Sequence, residues 1–141
     1  MRMVRFLLRL IKRLRGSFAW IEANELKRRL DRGEGVTIVD VRGSDEFVGP
    51  LGHIATARNI PVAELESRLG ELAGLERGLI VLACRTDKRS ATAARTLRAA
   101  GFTQVNVLRR GMEQWNEPGL PVEARAAEST ATPTAAMGIV R

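Results

Sequence analysis

Cys84 is the only cysteine of this 141-residue chain, and its setting is that of a reactive group. It ends the apolar run Gly78 to Cys84 and opens the loop "CRTDKRS", from whose Ser90 a helical pattern, "SATAARTLRAAG", begins. In sheets of alternating strands and helices, sites form where a strand ends and a helix begins. Loop amides and the positive end of the following helix would converge on the sulfur. Arg85, Lys88 and Arg89 add cations within the same loop. All of these favour a thiolate, which is the nucleophilic form. Without that setting, a lone cysteine reads as a small buried side chain.

The spacing constrains the electrophile. A loop that wraps a tetrahedral phosphoryl group, as in cysteine phosphatases, needs its arginine six positions after the cysteine. Here Arg89 follows Cys84 by five positions, and Ser90 comes next. The shorter loop suits a smaller cradle around a sulfur atom. No neighbouring acid serves as a leaving-group acid, because Asp87 lies within the loop itself. One cysteine excludes an intramolecular disulfide, a Cys-x-x-Cys pair and a cysteine-rich zinc site. The single histidine, His53, argues against a histidine-based metal centre. Neither a metal nor an organic cofactor is expected.

The elements that must position Cys84 are legible around it. "FAWI" (Phe18 to Ile21) reads as a short strand, and "EANELKRRLDRG" as a helix with Leu26 and Leu30 inward and Gly33 as its stop. "VTIVDV" (Val36 to Val41) is a buried strand. "SDEF" is a helical turn capped by Ser44. "ARNIP" ends an edge strand at Ile60, and "VAELESRLGEL" is a helix starting after Pro61. "GLIVLAC", "TQVNVL" and "GMEQW" supply a strand, a strand and a last helix. The result is one α/β domain over 17–123 with a mainly parallel sheet. The Ala/Thr-rich segment 124–141 reads as disordered.

The net charge of +7 is not spread over the chain. Residues 1–15, "MRMVRFLLRLIKRLR", carry six bases and no acid, which leaves 17 bases against 16 acids elsewhere. The body is nearly neutral, so no nucleic-acid partner is expected. On a helical wheel, Arg2, Arg5, Arg9, Lys12 and Arg13 share an arc of about 100°. Met3, Val4, Phe6, Leu7, Leu8, Leu10, Ile11 and Leu14 take the opposite side, and Arg15 strays. This basic amphipathic helix, residues 1–16, is too short and too charged to span a bilayer. It lacks the apolar core of a secretory signal. Contact with a membrane surface through residues 1–15 is the first expectation. Packing on its own domain or on a partner is the second, and targeting the third. The expected location is cytoplasmic and peripheral at the membrane.

In this order the pieces resemble the single-domain rhodaneses of the sulfurtransferase family. The matching segments are "IVDVR" (38–42), "EF" (46–47), "GHI" (52–54), "NIP" (59–61), "VLACRTDKRS" (81–90), "AARTLRAAGFTQVNVL" (93–108) and "GMEQW…GLPV" (111–122). The resemblance covers 17–123. It implies a rhodanese-like three-layer domain with a mainly parallel five-stranded sheet flanked by helices. It also implies a thiosulfate sulfurtransferase acting through a persulfide on Cys84. The donor would be a small anionic sulfane compound such as thiosulfate, and the acceptor cyanide, a thiol or a protein cysteine. Arg85, Thr86, Asp87, Lys88, Arg89 and Ser90 would form the substrate-binding loop. Arg85 and Lys88 would attract the donor, and Arg89 would brace the loop. A module that only relays persulfide sulfur to a protein partner is the alternative.

Three positions depart from the family's pattern. Asp87 replaces a frequent glycine, and Asp tolerates positive φ better than most residues. Arg110-Gly111 replaces Gly-Gly, so that Arg110 would gate the pocket or add a cation at its mouth. Ala55-Thr56-Ala57 replaces Pro-Gly-Ala. Asp40 and Arg42 follow a strand to the same sheet edge as Cys84. They read either as a pair orienting the active loop or as part of a structural ion pair, Arg42 with Glu46. His53 reads as a packing residue. Trp115 reads as core at a helix–sheet contact or as pocket wall, and Trp20, Phe47 and Phe102 as core.

Overall fold

This computed structural model describes residues 2–15 and 17–123, and of residues 9–15 the backbone alone. The expected tail at 124–141 lies outside the described residues. The strands are β1 (Ala19–Ile21), β2 (Val36–Asp40), β3 (Arg58–Asn59), β4 (Leu79–Ala83) and β5 (Gln104–Leu108). The helices are α1 (Arg2–Arg15), α2 (Ala23–Asp31), α3 (Ser44–Phe47), α4 (Lys88–Ala99) and α5 (Gly111–Asn116). The strands form one five-stranded sheet in the order β1-β5-β4-β2-β3, and every pairing is parallel.

β4 runs through the middle, and its side chains alternate between two cores. Ile80, Leu82 and Cys84 join Val39, Ala93, Ala94, Leu97 and Val107 on one face. Val81 and Ala83 join Ile21, Leu26, Ile38, Leu108, Met112 and Trp115 on the other. Helices cover both faces, as a parallel sheet requires. The β2–β4 register sets Asp40 beside Ala83. The segments after the two strands therefore leave the sheet side by side at its carboxyl edge.

The structure corrects several details. The segment after Pro61 is two 3₁₀ stretches, Val62–Glu64 and Glu66–Leu72, with Arg68 at non-helical φ −111°, ψ 15°. The Ser67 hydroxyl donates to the Glu64 carbonyl, and Gly70 adds backbone freedom, both of which weaken an α-helical pattern. α3 is capped by Gly43, and Ser44 lies inside its first turn. α4 starts at Lys88, two residues before Ser90.

Two departures from the family's pattern share a physical signature. Among the described residues, the non-glycines with positive φ are Thr56, at +69°, and Arg110, at +57°. Both stand where the pattern has glycine, so each holds a left-handed backbone at a cost of about 1–2 kcal/mol. Asp87 does not: its φ is −150°, and no left-handed backbone is needed there.

α1 approaches α4, yet the apolar residues of its first two turns stay open to solvent. Met3, Val4, Phe6, Leu7 and Leu8 are 50–77% exposed. The expectation that this helix packs on its own domain is not met at these residues. No helix among the described residues is long and apolar enough to cross a membrane.

Candidate active site

Cys84 follows β4 directly and is only 1% exposed. The loop beyond it is held by its backbone. The Met112 amide donates to the Cys84 carbonyl (2.9 Å), and the Glu113 amide to the Arg85 carbonyl (3.1 Å). These amides belong to the first turn of α5, which has no side-chain cap. The loop carbonyls do the capping. Gly111 makes this approach feasible. A Cβ on it would lie 2.2 Å from the Cys84 oxygen, 2.4 Å from that of Thr86 and 2.8 Å from that of Arg85.

That clasp determines where the amides face. No peptide bond is cis. In a trans unit the N–H points opposite to the C=O. With the carbonyls of Cys84, Arg85 and Thr86 turned to α5, the amides of Arg85, Thr86 and Asp87 turn away from it. The amides of Lys88, Arg89 and Ser90 are the unsatisfied first turn of α4. Among the described residues, every amide from Arg85 to Ser90 donates to no protein acceptor; the first to do so is Ala91, to the Asp87 carbonyl (2.8 Å). The Ser90 hydroxyl is also buried without a partner. A buried hydroxyl without a partner costs about 1–3 kcal/mol. A run of unpaired amides following one sulfur has the form of an anion cradle.

The cations of the loop are already engaged. Arg89 pairs with Glu46 through two bonds, Nη1–Oε1 at 2.7 Å and Nη2–Oε2 at 2.9 Å, joining α4 to α3. The Arg89 guanidinium holds the Glu46 carboxyl down at about 2, so Glu46 is ionised at neutral pH. Hydrogen bonding to Glu46 raises the pKa of Arg89. Arg85 pairs with Glu113 at 2.8 Å. Lys88 is exposed, with no acidic partner among the described residues. Thr86 is exposed and Asp87 half-buried at the loop's rim.

Asp40 and Arg42, both 1% exposed, pair with each other behind the loop. Arg42 Nε donates to Asp40 Oδ1 (2.9 Å) and Nη2 to Oδ2 (2.7 Å), and Nη2 also donates to the Gly52 carbonyl (2.7 Å). Arg42 therefore pairs with Asp40, not with Glu46. Asn59 Nδ2 donates to the Asp40 and Arg42 carbonyls at 3.0 and 2.9 Å, pinning this segment. Arg110 does not reach the loop. Its guanidinium lies along α5, bonded to Gln114 and to Glu117 (2.8 Å). His53 stacks on Phe47 at 3.6 Å and donates from Nδ1 to the Phe47 carbonyl. Trp115 is core, its indole N–H donating to the Pro121 carbonyl (2.9 Å).

Beside the loop, at the carboxyl edge of the sheet, is a cleft of about 360 Å³ lined by Arg42, Glu46, Pro50, Leu51, Arg85 and Glu113. A hollow of about 440 Å³ at the opposite strand ends, near Ala19, Leu79 and Gln104, is remote from Cys84. Glu113 and Glu46 as partners of the loop arginines were not foreseen. No local sequence signal points to either pairing, because the partners lie 43 and 28 positions apart.

Residues 22–118 match the model of the rhodanese-like domain family. The chain is 46% identical over 104 residues to the HTH-type transcriptional regulator Rv0324 of Mycobacterium tuberculosis, covering 72% of this chain and 43% of that protein. It is 33% identical over 104 residues to a sulfurtransferase of Allochromatium vinosum, covering 74% and 94%. The crystal structure of a rhodanese-related protein from Thermoplasma volcanium superposes with a TM-score of 0.66 at 30% identity, covering 76% and 99%. The chain spans about half the length of several curated relatives it matches. It belongs to the rhodanese-like domain family.

The clasp yields a prediction. Gly111→Ala should destabilise the protein by about 2 kcal/mol or more in urea unfolding, through overpacking at a fixed backbone. Gly119→Ala is the control: it shares a positive φ of +79° but has open space around it. A Gly111→Ala midpoint equal to that of Gly119→Ala would refute the close approach.

Proposed function

We propose that this chain moves sulfane sulfur through a persulfide on Cys84. The observation that carries the reading is the run of unpaired amides from Arg85 to Ser90 following the only cysteine. A persulfide is an anion one sulfur longer than a thiolate, and amide donors fixed in place stabilise it as an oxyanion hole stabilises oxygen. Family membership and the similar sulfurtransferase support the same chemistry.

The steps balance without an added oxidant or reductant. With thiosulfate, the Cys84 thiolate attacks the outer sulfur. The sulfur–sulfur bond of the donor breaks, and sulfite leaves with the electron pair. Cys84 then carries a terminal sulfur with a negative charge. An acceptor nucleophile attacks that sulfur, the bond to Sγ breaks, and the pair returns to Cys84 as thiolate. Cyanide becomes thiocyanate; a thiol, having lost its proton, becomes a persulfide. Division into two transfers lowers each barrier. With no second cysteine among these 141 residues, sulfur leaves to an acceptor outside them.

One observation favours the relay alternative alongside turnover with thiosulfate. Cys84 is 1% exposed, and both loop arginines are already paired. Such a site suits a protein partner that reshapes its mouth. Intact-mass analysis after exposure to thiosulfate tests the reading. One added sulfur atom is expected on the peptide bearing Cys84, and none in Cys84→Ala. Thiocyanate formation lost in the variant marks an enzyme, and a loaded cysteine without turnover marks a relay. No sulfur on Cys84 from any sulfane donor defeats both.

A further inference from the structure

The cleft beside Cys84 is electrically balanced. Its lining cations Arg42 and Arg85 face the lining carboxylates Glu46 and Glu113, and the arginines Arg42, Arg85 and Arg89 pair with Asp40, Glu113 and Glu46 respectively. Two of these pairs are deeply set or doubly bonded: Arg42–Asp40 is buried, and Arg89–Glu46 uses both oxygens. The third, Arg85–Glu113, is different. It is a single bond at 2.8 Å, its side chains are 66% and 39% exposed, and both line the cleft. Arg85 adjoins the nucleophile, so it is the guanidinium best placed for an incoming anion. Glu113 occupies it.

We infer that Glu113 is a specificity-determining residue that competes with the sulfur donor for Arg85 and so selects against donors of high negative charge. The inference rests on the persulfide reading above. Its physics is simple. A donor must displace the carboxylate from Arg85 and then sit beside it. Coulomb repulsion scales with the donor's charge, so a dianion is penalised about twice as much, in free energy, as a monoanion. An exposed pair of this kind is weak, which makes Glu113 a bias on donor choice, not a barrier.

The test compares two donors that deliver sulfur by the same step. Thiosulfate is a dianion and releases sulfite; benzenethiosulfonate is a monoanion and releases benzenesulfinate. In each, the Cys84 thiolate takes the terminal sulfur and the leaving group keeps the bonding pair. Glu113→Gln should raise the rate of Cys84 loading by thiosulfate about twofold to fivefold at low salt. It should raise loading by benzenethiosulfonate by only about the square root of that factor. Glu117→Gln removes the same charge from just past the end of α5, away from the cleft, where it pairs with Arg110. That variant should leave the ratio of the two rates at its wild-type value. An unchanged ratio in Glu113→Gln, with both donors loading Cys84, overturns the role of Glu113 and leaves the persulfide reading standing. Failure of both donors to load the wild-type protein overturns both.

A separate observation carries a second inference. Met3, Val4, Phe6, Leu7 and Leu8 form an exposed apolar side of α1, while the bases of the segment are spaced to share the other side. We infer that α1 docks on an anionic lipid surface. Apolar side chains enter the acyl boundary and the bases meet the headgroups. With the full chain, sedimentation with vesicles of phosphatidylcholine and phosphatidylglycerol should rise with the anionic fraction and fall with salt. Phe6→Glu with Leu7→Glu should abolish it while Cys84 still loads sulfur. No binding at any anionic fraction, or binding unmoved by the double variant, overturns the inference; the former would leave the face to an acidic protein partner.

Discussion

Three carbonyl oxygens crowd onto Gly111, and the chemistry of the site depends on that contact. α5 begins without a side-chain cap, and the loop after Cys84 has no regular partner of its own. Each solves the other's problem. The loop's carbonyls satisfy the first amides of α5, and α5 fixes the outward side of the loop. The inward side is then amides alone, continued without interruption by the first turn of α4. A side chain at position 111 would push the two apart, and the donors would no longer point one way. The position that matters most to the site is therefore one with no side chain.

Around this neutral backbone cradle the charges cancel. Arginines are abundant at the site, yet each has a carboxylate: Asp40 for Arg42, Glu46 for Arg89 and Glu113 for Arg85. The ion pairs tie α3 to α4, the loop after β4 to α5, and the loop after β2 to the end of its own strand. The anion stabilisation proposed at Cys84 would thus rest on oriented dipoles more than on net charge. Dipoles fixed by backbone bonds do not need to reorganise when a charge forms. They also discriminate less by charge, which leaves selection of the donor to side chains at the rim.

Much of this was legible in the sequence. The strands β2, β4 and β5 are β-branched apolar runs bounded by turn residues, and Cys84 stands at a strand end where α/β sites form. What was not legible is long-range. Glu46 and Arg89 lie 43 positions apart, and Arg85 and Glu113 lie 28 apart. Loop arginines read as free cations until the fold delivers their partners. Gly111 shows as a glycine in sequence, but the three oxygens pressing on it do not. The segment after Pro61 has helical spacing at Val62, Leu65, Leu69 and Leu72, yet local hydroxyl bonding and Gly70 turn it into 3₁₀ stretches. Thr56 and Arg110 show the reverse: each holds a left-handed backbone that its residue type does not announce.

The most direct measurement is the amide spectrum of the protein before and after sulfur is loaded onto Cys84. Resonances from Arg85 to Ser90 should move downfield together as they become donors to the terminal sulfur, while Met112 and Glu113 keep their shifts because their carbonyl partners are unchanged. Loading that leaves those loop amides unmoved, or that disturbs the α5 amides instead, would contradict the cradle.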